Sequence, residues 1–225
     1  MKSLLVALLA VGSLSLNATI VGSKHDLSST GPGGKTNTAQ VCVFCHTPHN
    51  ASIVANQIIP LWNKTTTVTT GFTMYNTTNN PASSLQGVVD ATPTGTSMAC
   101  FTCHDGTAAV GAINNLPNGA ASITYTAGGL MNATGFLTGA VLLGKDLTND
   151  HPISITYPAT DTGLTAKATV LALANSVKLF GTAGSEKVQC ASCHDVHNYG
   201  TAGTTAPFLR VSMAGSALCV VCHIK

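Results

Sequence analysis

The chain has 225 residues, ten Lys and Arg against eight Asp and Glu, a formal net charge of +2 and only 8% charged residues. That charge share is about a third of the usual one, and no basic stripe accompanies it, so no nucleic-acid partner is expected. The length suits one domain or two small ones, and with 5% aromatic residues the chain has little from which to build a large aromatic core.

Residues 1–18 read MKSLLVALLAVGSLSLNA. A lone basic residue, Lys2, precedes an apolar run from Leu4 to Val11, and small residues follow. The run is too short to span a bilayer and is apolar all round, unlike an amphipathic core helix, so it reads as a secretory signal. The expected mature chain, 19–225, is a single domain with no membrane span. Its expected location is secreted, extracellular or at the cell surface, with the periplasm as the alternative.

Predicted elements are few and short. Residues 28–38 (SSTGPGGKTNT) read as loop, and residues 65–80 offer one short strand before turn residues take over. SITYTAG at 122–128 and SITYPAT at 154–160 alternate as strands do and could pair. Residues 166–180 (AKATVLALANSVKLF) form the best helix candidate, with Gly181 placed to end it. Short helices are also expected at four recurring motifs.

Those motifs are CVFCH at 42–46, CFTCH at 100–104, CASCH at 190–194 and CVVCH at 219–223, and they contain all eight cysteines. A zinc half-site or a redox dithiol uses CxxC but needs no histidine directly after it. Covalent haem c does need one. The expected thioether positions are therefore Cys42 and Cys45, Cys100 and Cys103, Cys190 and Cys193, and Cys219 and Cys222. The expected proximal iron ligands are His46, His104, His194 and His223. The cofactor set is four covalently bound haem c groups.

Four further histidines remain: His25, His49, His151 and His197. Their number matches four sixth positions. His49 in CHTPH and His197 in CHDVH follow a proximal histidine by three residues, too close on the chain to reach the other face of the same haem, so each is assigned to a neighbouring one. His151 stands in an NDHPI turn, and His25 lies near the mature N-terminus. Met74, Met98, Met131 and Met213 are the rival sixth ligands, but they share no local pattern and read better as apolar packing.

The fold expected is a multihaem cytochrome c, mostly coil with short helices and a few short strands, organised around four stacked haems. The cofactors supply the core. Burying them together removes several hundred Å² of apolar surface from water at roughly 25 cal/mol per Å², and iron ligation is coupled to folding. The apoprotein is expected not to fold. With both axial positions of each iron filled, no catalytic residue is expected, and one-electron transfer is the expected function. Two rivals keep the cofactors: a monomeric periplasmic carrier, and an oxidoreductase with one open iron.

KHDLS, CVFCHTPHN, CFTCHDGT, LTNDHPI and CASCHDVHN together resemble motifs of the secreted multihaem c-type cytochromes of metal-reducing bacteria. Chain length and motif number are similar to those of the family's filament-forming tetrahaem members, the extracellular nanowires. The resemblance covers the motif-bearing stretches and the NDHPI turn, and little of the Thr- and Asn-rich loops. It implies a homopolymer with haem ligation between subunits. It also implies redox partner proteins and external electron acceptors such as metal oxides. His49 is the candidate inter-subunit ligand, reaching the haem of His223 in the next copy, with His25 as the alternative.

Overall fold

A computed structural model describes residues 20–33, 35–52, 59–64, 70–173, 176–197 and 208–224. The expected signal, 1–18, lies outside them, as do 65–69 of the expected early strand and 174–175 of the expected helix.

Coil dominates the described residues, and the sequence explains how. Asp and Asn side chains take over backbone donors that a ladder would otherwise satisfy. Asp105 Oδ1 accepts from the Thr107 N–H (2.8 Å), Asn132 Oδ1 from the Thr134 N–H (3.0 Å) and Asp161 Oδ1 from the Gly163 N–H (2.8 Å). Each such bond closes a turn and ends an element.

Strand β1 (Lys35–Thr36) pairs antiparallel with β2 (Tyr125–Thr126), and β3 (Ile155–Thr156) with β4 (Lys187–Val188). The two SITY segments therefore hold β2 and β3 but do not pair with each other. Each is drawn to its own partner. Tyr125 packs beside two separate apolar clusters, whereas β4 leads directly into the third motif at Cys190.

Helix α1 spans Gly95–His104, α2 Lys167–Ala172, α3 Cys190–Cys193 and α4 Ala217–Val220. The candidate at 166–180 shrinks to the six residues of α2 because only Val170 is buried there, while Leu171 and Leu173 face solvent. A short helix without a packed face is marginal, and Gly181 lies well beyond its end. The motifs also differ from one another. The first is a single 3₁₀ turn, Cys42–Phe44; the second ends the longer helix α1; the third starts α3; the fourth falls across the end of α4.

Apolar burial is divided among small clusters. Val43, Phe44, Ile113 and Ile123 back the first motif; Met74, Phe101 and Leu147 back the second; Val110, Met131 and Leu137 form the third cluster, against Cys103. Met74 and Met131 thus sit in the core, whereas Met213 is half exposed. No helix of the described residues is long and apolar enough to cross a membrane.

Candidate haem sites

All eight cysteines are free thiols, and they lie in a row that follows chain order. Cys45 of the first motif is within electrostatic range of Cys103 of the second. Cys100 of the second shares a hydrogen bond with Cys190 of the third. Cys193 of the third is similarly close to Cys222 of the fourth. Burial pushes the Cys45 and Cys193 thiols up to about 11, and Cys100 is raised by its bond to Cys190 and by burial. All three thiols are half-buried.

The joint between the second and third motifs is built from buried polar groups. The Ser97 hydroxyl, on α1, donates to Gln189 Oε1 at 2.5 Å and accepts the Cys190 N–H at 2.9 Å. Ser154 also donates to Gln189 Oε1, at 3.1 Å, and accepts the Thr94 N–H at 2.9 Å. Gln189 and Ser192 complete a reciprocal cap on α3. Ser97, Ser154 and Ser192 are wholly inaccessible. Lys187 closes the edge on Asp90 with bonds of 2.6 and 2.7 Å.

Three pairs of histidine rings face one another. His46 and His197 have ring centroids 6.0 Å apart, His25 and His104 6.2 Å, and His151 and His223 6.3 Å. Each pair joins a histidine that ends a CxxCH motif to one that does not. Two imidazoles bound on opposite sides of one metal through bonds of about 2 Å have centroids about 6 Å apart, so the spacing fits a shared iron. The tautomers fit as well. His46 Nδ1 lies 2.8 Å from the Pro60 carbonyl, His104 Nδ1 2.7 Å from that of Val141 and His151 Nδ1 2.9 Å from that of Pro152. A carbonyl only accepts, so Nδ1 holds the proton and Nε2 keeps a bare lone pair, the form that ligates metal. Among the described residues no group of three or more His, Cys, Asp or Glu forms a metal cluster; a haem needs only two protein ligands on its iron.

The loop before the first motif aims His25. Asp26, buried, accepts from the Gly22 N–H (2.8 Å), the Ser28 hydroxyl (2.6 Å) and the Ser28 N–H (3.2 Å). Burial pushes its carboxyl up, but the three bonds together outweigh this and hold it below its usual value. A Cβ at Gly31 would stand 2.0 Å from the Asp26 carbonyl oxygen, and one at Gly33 1.9 Å from that of Lys24, so only glycine permits the loop to close. His25 packs on Phe208 with centroids 4.6 Å apart. Burial, then the neighbouring His104, lowers His25 to about 4, which keeps the ring neutral. On the other side, the Arg210 guanidinium pairs with Asp195 at 2.8 Å and anchors the segment that carries His194 and His197.

His49 is placed differently. It is exposed on the rim of an open cleft of about 610 Å³ whose wall includes Cys42 and His46 of the first motif. That volume lies in the range of cofactor sites. His223 faces His151 of the same chain, so the expectation that a neighbour's His49 serves the His223 haem is not the one this geometry favours.

Sequence reasoning passed over two residues near the first site. Trp62 and Lys64, in LWNK, are both buried, and Trp62 stands edge-on to His46 with centroids 6.3 Å apart. The signal was available, since this is the chain's single tryptophan, two residues from a lysine in a charge-poor sequence.

Among curated proteins nothing matches the chain. Residues 183–225, which carry the third and fourth motifs, match the model of the doubled CXXCH motif, and this match indicates covalent binding of c-type haem.

Proposed function

We propose that the chain is a tetrahaem electron-transfer protein whose irons are each closed by two histidines, and that it works as a subunit of a secreted filament. The carrying observation is the set of three facing histidine pairs at 6.0–6.3 Å, each with one motif histidine. Bound haem c supplies a one-electron Fe(III)/Fe(II) couple. The chain's residues do the rest. His46 with His197, His104 with His25, and His223 with His151 hold the axial positions and deny them to substrate, so no reaction at the metal is assigned. The thiol row brings the sites close enough to relay electrons in chain order. In this reading redox partner proteins load the filament, and external acceptors such as metal oxides empty it.

Exposed His49, whose ring faces no other ring among the described residues, supports ligation of a haem in an adjacent copy. Because His151 already faces His223, the acceptor in that copy is a haem other than the His223 one. The charge-poor surface favours association. The test is His49→Ala, examined by mass spectrometry and electron microscopy. Haem attachment should persist and filaments should vanish; filaments of normal length would refute the assignment.

A further inference from the structure

The segment Trp62–Lys64 runs alongside the first motif. Trp62 bridges to His46, the Asn63 N–H donates to the Cys45 carbonyl (2.9 Å), and Lys64 bridges to Ile113 on the other side. Asn63 is committed to protein, since its Nδ2 donates to the carbonyls of Val43 and Asn115. Its two neighbours are less fully paired. The Trp62 indole N–H is buried, at 8% residue exposure, with no partner for its proton. Lys64 is 2% exposed, and its amino group donates to the Val110 carbonyl. No ion pair joins it to any of the chain's eight carboxylates. Asp90, Asp195 and Glu186 pair with Lys187, Arg210 and Lys167. Asp26, Asp105, Asp146 and Asp161 are taken up by turns of their own, and Asp150 lies beside Asp146. A buried ammonium without a counter-charge and a buried N–H without an acceptor are both costly. In extended chain, residues two apart leave the same face, so the two donors are aimed alike.

We propose that Trp62 and Lys64 form a recognition site for a carboxylate of the cofactor, a haem propionate, and that the Lys64 charge raises the reduction potential of the nearest iron. The site rests on the haem reading above. Its ligand is anionic and planar, matching one N–H donor and one ammonium. Lys64 directly follows Asn63, whose N–H donates to the Cys45 carbonyl, and Trp62 stands edge-on to His46, which places the charge at the first motif. A fixed positive charge there stabilises the reduced iron, which carries one positive charge fewer.

The test uses the holoprotein with Lys64→Met, Lys64→Arg and Trp62→Phe. Resonance Raman reads the propionate-bending band, and a spectroelectrochemical titration reads the potentials. In K64M one potential should fall and part of the propionate band should shift; K64R should retain the wild-type potential. W62F, which keeps an aromatic ring but loses the indole N–H together with the five-membered ring that carries it, should shift the band. Fully haem-loaded K64M with unchanged band and potentials overturns the proposal. Should K64M fail to fold, W62F decides: an unmoved band overturns the site, including the case in which Lys64 holds only a free anion from the buffer. A wild-type preparation without a Soret band would instead sink the haem reading itself.

Discussion

The joint between the second and third motifs and the region of the fourth make an instructive pair. At the joint, α1 and α3 are locked by Ser97, Gln189, Ser154 and Ser192, all buried and all hydrogen-bonded. Around the fourth motif, α4 buries no residue, and Val220, Met213 and Ile224 are 45–58% exposed. The tail is tied to the rest of the chain by backbone bonds, among them the Thr165 N–H to the Cys222 carbonyl (2.8 Å) and the Ile224 N–H to the Gly163 carbonyl (2.9 Å). One region carries its own polar core; the other presents apolar side chains that only a cofactor or a neighbouring copy would cover. In the folded protein the polar joint thus sets the spacing of the central sites, while the end holds its apolar side chains uncovered.

The largest effect should come from removing the cofactors. Replacing both cysteines of all four motifs with alanine removes every thioether position, and the product should show no cooperative unfolding transition. Hydrogen exchange would sharpen the contrast: amides near Ser97 and Gln189 should be the last to lose protection, and those of α4 the first.

Next comes Ser97→Ala. It strips a donor from Gln189 and an acceptor from the Cys190 N–H, leaving buried groups unpaired at about 1–3 kcal/mol each. Denaturant melts of haem-loaded protein should show that loss, whereas an equivalent Ser212→Ala change before α4 should be nearly silent. Gly33→Ala falls close behind. The new methyl collides with the Lys24 carbonyl, so His25 should leave His104, and the second haem should turn high-spin while the others stay unchanged.

Asp26 gives a smaller, pH-dependent effect. Its folded pKa lies below the unfolded value, so its contribution is present above the ordinary carboxylate range and disappears as pH falls through the folded value. Asp26→Asn should therefore lower stability at neutral pH and flatten the acid limb of the stability profile. The smallest effect is expected at Glu186. Its bond to Lys167, with backbone bonds behind it, holds it at about 2. Glu186→Gln should cost little, less still in high salt, and only above about pH 4.

The CxxCH motifs were legible because covalent chemistry fixes their spacing, and the doubled-motif match covers the third and fourth of them. Sparse secondary structure was legible too, from loops rich in Gly, Asn and Thr. Strand partners were not. β1 with β2 and β3 with β4 join segments about 30–90 residues apart, and two-residue strands carry no register signal. The short α2 escaped because propensity favoured 166–180 while packing favoured Val170 alone. Trp62 and Lys64 escaped because what marks them, a buried indole N–H without an acceptor and a buried ammonium without a counter-charge, shows only in the folded chain.

The central claim is that every iron is closed by histidine on both sides. Low-temperature electron paramagnetic resonance of the oxidised native protein tests it directly. The account predicts only low-spin ferric signals of bis-imidazole type, and the optical spectrum of the separately reduced protein should not change when carbon monoxide is added. A high-spin, five-coordinate signal equivalent to one iron per chain would contradict it and mark that iron as a site of reaction.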